Sequence, residues 1–103
     1  MDEYFSLTLK EWADEDKPRE KMLSKGKKEL TNAELIAILL HSGIPGKSVV
    51  EVAKEVLALT GNSLTALSQL EFNQLSSIKG LGAAKAATLM AALELGWRMQ
   101  GEI

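Results

Sequence analysis

The stretch Leu75-Ser76-Ser77-Ile78-Lys79-Gly80-Leu81-Gly82-Ala83-Ala84-Lys85-Ala86 decides how this chain folds. Leu75 and Ile78 close a short helix, two glycines enclose one leucine, and a helix of small residues follows with Leu89, Met90 and Leu93 behind it. Glycines at these positions admit positive φ and close approach of backbone to a ligand. The spacing predicts two helices joined by a tight turn, with Leu81 plugged between them. The first-turn N–H groups of the second helix then face outward without intrahelical acceptors. At the positive end of a helix dipole, such groups suit a phosphate oxygen. The same turn can also serve packing alone, or dock a protein.

Helix signals continue outward from this turn. Pro18 suits the first turn of a helix, where its missing N–H costs little, and Gly26 suits its stop. Thr31-Asn32-Ala33-Glu34 and Ser48-Val49-Val50-Glu51 each fit a capping box. After the first box, Leu35, Ile38 and Leu39 are placed on the core; after the second, Val49, Val52, Ala53, Val56 and Leu57 form an apolar stripe. The segment from His41 to Gly46 breaks the first of these helices, and Gly61-Asn62 ends the second. Leu64, Leu67 and Leu70 mark a further short turn, and the last helix is placed from about Ala83 to Met99. No sustained period-2 run and no Asn-Gly or Asp-Gly hairpin occurs. The expected fold is all-α.

Composition narrows the function. A chain of 103 residues, 46% of them hydrophobic, supports one compact domain. The absence of Cys excludes disulfides and thiolate metal sites and suits a reducing cytoplasm, the expected location. No uncharged run reaches the ~20 residues of a membrane span. The net charge of −2 argues against tight binding to a polyanion. Beyond Gly61, however, the only charges are Glu71, Lys79, Lys85, Glu94, Arg98 and Glu102, so two lysines flank the double-glycine turn with no acid between them.

Little here can carry catalysis. His41 is the only imidazole, so neither a converging zinc ligand set nor a His-based triad is available. Carboxylate pairs such as Glu11/Asp14 and Glu15/Asp16 lie in a polar stretch and read as solvated charges, as do Lys25, Lys27 and Lys28. The run His41-Ser42-Gly43-Ile44-Pro45-Gly46-Lys47-Ser48 approaches a nucleotide phosphate loop, but His41 replaces the first glycine and Pro45 has no N–H. An apolar helix precedes it where a buried strand is required. A single phosphate contact through Gly46, Lys47 and Ser48 is the milder expectation. No cofactor, no metal and no enzymatic activity is expected.

The double-glycine turn resembles the helix-hairpin-helix motif of DNA repair and replication proteins. That resemblance implies a phosphate held by the hairpin amides and by a cation one turn on, with no bases read. It assigns DNA phosphate binding to Lys79, Gly80, Leu81, Gly82, Ala83, Ala84 and Lys85. A weak internal echo sets Leu30, Leu35 and Ile38 against Leu70, Leu75 and Ile78, with Ile44-Pro45-Gly46 over Gly80-Leu81-Gly82. The expected organisation is one domain: a charged segment 1–29 packed on the bundle, a degenerate first hairpin unit over 30–60 and a second unit over 61–103. This is the tandem, SAM-like arrangement in which the motif is found.

More widely, Pro18–Leu23, Leu30–Leu40, Gly43–Ser48 and Ile78–Ala86 resemble, in order and spacing, the N-terminal region of the bacterial RadC family. The likeness runs from about Trp12 to Arg98. Members carry a DNA-repair name and a second half of the JAB/MPN type, a zinc-dependent hydrolase-like domain with a His-x-His…Asp metal motif that has no counterpart here. The resemblance implies an isolated N-terminal domain, monomeric, whose partner is DNA held weakly through its backbone. The alternative is a protein-interaction or regulatory module for the absent hydrolase-like domain, using Met90, Trp97 and Met99.

Overall fold

Four of the helix starts among the described residues are set by side chains that satisfy the first free N–H groups. The computed structural model describes residues 17–102, so the expectations for Trp12 and for the carboxylates of residues 11–16 lie outside the described residues. Helix α1 (Pro18–Lys25) opens with its proline in the first turn and stops at Gly26, φ +94°. A 3₁₀ turn (Lys27–Glu29) leads to α2 (Asn32–Leu40). There Thr31 Oγ1 accepts from the Glu34 N–H at 3.1 Å and a Glu34 carboxylate oxygen accepts from the Thr31 N–H at 2.9 Å. The Ser48/Glu51 pair repeats this at 3.1 and 3.0 Å to open α3 (Val49–Ala58). Helix α4 (Leu64–Ser68) is capped by Ser63, and α5 (Phe72–Ser76) by Glu71 and Gln74. Helix α6 (Gly82–Gln100) is the longest, with 19 residues. Among the described residues there is no strand, and the domain is all-α.

The core is drawn from α2 to α6, while α1 buries only Pro18 and the 3₁₀ turn buries nothing. Val49, Val52, Ala53, Val56 and Leu57 of α3 are buried as the stripe predicts, because Glu51, Lys54 and Glu55 leave that helix only one apolar side. In α2 the buried face is Ala33, Ile36, Ala37 and Leu40, while Leu35, Ile38 and Leu39 are only half-buried. Beyond Glu34 every residue of α2 is apolar, so periodicity does not single out a face. Leu40, Leu67, Leu75 and Leu89 are fully buried, each stabilising the fold by about 1.5–3 kcal/mol relative to exposure. Ala86 and Leu89 anchor the first half of α6; further along, Leu95, Trp97 and Met99 stand exposed. Helix α1 is tied to α2 by Lys21, whose Nζ reaches both carboxylate oxygens of Glu34 at 3.0 and 3.2 Å.

Candidate nucleic-acid interface

The chain leaves α5 through Ser77 and turns over Ile78-Lys79-Gly80-Leu81. The Leu81 N–H donates to the Ile78 carbonyl at 3.0 Å, and Gly80 at the third position has φ +100°. This is the type II pattern, which needs glycine there. Gly80 is pressed against the first half of the domain, where an added Cβ would lie 3.2 and 3.3 Å from the Val52 methyls and 3.6 Å from Ile44 Cγ2. Leu81 is buried at 4% exposure and joins the core, which locks the turn.

The same turn occurs once more. Ile44-Pro45-Gly46-Lys47 has proline second, Gly46 third at φ +86°, and reciprocal hydrogen bonds between Ile44 and Lys47 of 3.1 and 2.9 Å. Gly46 therefore matches Gly80, and Pro45 matches Lys79. The echo read from sequence set Gly46 over Gly82 instead. Helix α2 has nine residues and α5 only five, so aligning the two caps does not align the two turns. Gly43 closes the first turn so tightly that an added Cβ would strike the Lys47 carbonyl oxygen and lie 2.7 Å from Val49 N.

Just past the second turn, Gly82, Ala83 and Ala84 are all exposed. The residue that precedes α6, Leu81, offers no side-chain oxygen, and the three amides that follow have no acceptor among the described residues. Their side chains end at Cβ, so a ligand oxygen can approach the backbone directly. Lys79 is exposed beside them with no side-chain partner among the described residues. Lys85 is oriented differently: its Nζ donates to the Ser42 carbonyl at 2.6 Å and to Ser42 Oγ at 3.1 Å, bridging the two halves of the domain. Sequence reasoning missed this bridge, because nothing local pairs two residues so far apart along the chain.

At the other turn the expected donors are engaged within the chain. The Ser48 N–H donates to Glu51 and its hydroxyl accepts from the Glu51 N–H. The Ser48 N–H holds the Glu51 carboxyl below the usual carboxylate range, so this helix start already carries an anion. Lys47 pairs with Glu55 at 2.8 Å. Gly46, Lys47 and Ser48 thus do not present an open cradle as Gly82–Ala84 do. No group of three metal-ligating side chains gathers among the described residues, and no helix among them is long and apolar enough to cross a membrane.

A model of the family described as UPF0758 N-terminal matches residues 9–87 of this chain. A UPF0758 protein of Flavobacterium johnsoniae is 46% identical across 93% of the chain and 42% of that relative's length. One from Trichlorobacter lovleyi is 44% identical across 89% of the chain and 41% of its own length, and one from Syntrophomonas wolfei 41% identical across 100% and 44%. The chain spans less than half the length of these relatives. No solved structure matches it.

Proposed function

The chain belongs to the UPF0758 N-terminal family, whose name states no activity, and we propose that within it this domain is a non-enzymatic, sequence-nonspecific holder of DNA backbone. One observation carries the reading: the exposed, uncapped start of α6, where three amides lie beside Lys79 and neither they nor its side chain has a partner among the described residues. A phosphate oxygen supplies the acceptors these amides lack and the negative charge the helix dipole favours. Amides and one ammonium contact phosphate and carry no base information, so binding is blind to sequence. Read in this way, the two turns form a tandem pair of helix-hairpin-helix units. The second holds phosphate; the first, self-capped by Glu51, supports the fold.

Fluorescence anisotropy on duplex, single-stranded and branched DNA tests the proposal. With two or three phosphate contacts, log Kd should vary with log salt with a slope of about 2 to 3. Lys79→Glu should abolish binding while leaving the thermal transition in place. Absence of binding at low salt, or binding indifferent to Lys79→Glu, overturns the reading.

A second reading is favoured by Leu95, Trp97 and Met99, which are 67%, 60% and 68% exposed. We propose that they dock the remainder of the longer proteins or a second copy of this chain. Concentration-dependent sedimentation tests the second-copy form, and a strict monomer removes it.

A further inference from the structure

The basic surface does not end at the hairpin. On α1, Arg19 Nη2 lies 3.0 Å from His41 Nδ1, and the next residue, Ser42, holds Lys85 of α6 through its carbonyl and hydroxyl oxygens. Two cations from opposite ends of the chain are thereby fixed on consecutive loop residues. Neither partner is a carboxylate. A guanidinium only donates, so the His41 Nδ1 is the acceptor in this bond. Lys21 and Lys47, by contrast, are neutralised by Glu34 and Glu55. Among the described residues, the charges of Arg19 and Lys85 are positioned but meet no carboxylate.

Arg19 and the loop residue that holds Lys85 also border open space. Arg19, His41 and Ser42 line a cleft of about 540 Å³ between α1, the end of α2 and the 41–48 loop, floored by Ile38, Ile44 and Pro45. Among the described residues, none that lines it is acidic. Arg19 uses one edge of its guanidinium on His41 and retains the forked donors that grip phosphate oxygens in pairs. Lys85 retains one of its three N–H donors. It sits in the first turn of α6 and reaches the cleft through Ser42, so its side chain links the hairpin to the cleft's edge.

We propose that Arg19 and Lys85, held by His41 and Ser42, form a second phosphate site that takes a further backbone phosphate of the nucleic acid bound at the α6 hairpin. The nature of the ligand rests on the hairpin reading; the site itself rests on the cleft and on these two positioned charges. The site adds one or two contacts to the hairpin's own and sets the direction in which the strand leaves it, across the 41–48 loop toward α1.

Titration of the isotopically labelled chain with a short blunt DNA duplex, followed by amide NMR, separates the two sites. Amides of Gly82, Ala83 and Ala84 report the hairpin; those of His41 and Ser42, with the Arg19 Nε–H, report the cleft. Both sets should move with one common affinity. Arg19→Gln should abolish the movement at residues 41–42, keep that at 82–84, and lower the salt slope by about 1; Arg19→Lys should restore part of the slope. Movement at 82–84 alone, or a slope unchanged in Arg19→Gln, overturns the second site and leaves the hairpin reading intact. Movement at residues 41–42 alone overturns the hairpin reading and leaves the cleft as an isolated anion site. Silence at both overturns both.

Discussion

Alanine at Gly80 should damage this fold more than alanine at Gly82, although the two glycines stand one residue apart. Both occupy positive φ, +100° and +66°, so either substitution carries a left-handed backbone cost of about 1–2 kcal/mol. At Gly82 the new methyl meets nothing within 4 Å, and the backbone cost is the whole effect. At Gly80 it arrives 3.2 and 3.3 Å from the two methyls of Val52, which is fully buried and cannot swing aside. Overpacking of this kind adds about 1–3 kcal/mol. The totals are about 2–5 kcal/mol at Gly80 against about 1–2 at Gly82, drawn from a stability of roughly 5–15 kcal/mol for a typical domain. Urea unfolding followed by far-UV circular dichroism measures both as midpoint shifts at unchanged slope. Val52→Ala makes room for the methyl, so the double variant should be less damaged than the sum of its parts by at least about 1 kcal/mol. Equal costs at the two glycines, or strict additivity with Val52→Ala, would refute the close approach of the two halves at Gly80.

Further outcomes follow from other sites. Gly43→Ala should cost more than about 3 kcal/mol, because its methyl meets backbone of Lys47, Ser48 and Val49 that no rotamer change can clear; a melting curve close to the parent's would contradict this. Thr31→Ala and Ser48→Ala should each cost about 1 kcal/mol in urea, with no effect expected at Asn32 by comparison. The Thr31 N–H, with help from Lys21, holds the Glu34 carboxyl below its usual range, and the Ser48 N–H does the same for Glu51. Their contribution is complete above the unfolded-state value and lost as pH falls through the lower folded one, so stability should decline between about pH 5 and pH 3. Glu34→Gln should flatten that decline, and an unchanged acid limb would count against the box. Leu95→Glu should alter stability by less than about 0.5 kcal/mol, since that side chain is 67% exposed; a large loss in urea would show it to be covered.

Much of this architecture is legible in the chain because it is written locally. The boxes at Thr31 and Ser48, the proline that opens α1 and the glycine that stops it all act within four residues. The start of α5 rests on a box of the same kind at Glu71 and Gln74, which the sequence did not announce because a carboxylate and an amide stand where a hydroxyl and a carboxylate are more familiar. The buried face of α2 was not legible either, because a helix apolar on all sides is oriented by its neighbours and not by its own pattern. At the candidate site the tight turn is legible from its residues: Gly80 and Gly82 take positive φ and Leu81 is buried between them. What became of the two lysines is not. Lys79 and Lys85 look alike in sequence, yet among the described residues one meets no side-chain partner and the other is bound to Ser42, a contact made only once both halves have folded.

Helix α6 runs without interruption from the open amides at Gly82 to Gln100. At 1.5 Å per residue its 19 residues make a strut about 28 Å long, with open amides at one end and exposed Leu95, Trp97 and Met99 at the other. A rod of this kind works as a ruler. Whatever engages the apolar end is held at a fixed stand-off from whatever the amides hold, and turns with it as one body. The helix's own glycine, Gly96, is where that ruler would bend first: it lacks the side chain that stiffens its neighbours. Exchanging it for alanine would stiffen the strut, and exchanging it for proline would break the alignment of its two ends while leaving each end intact.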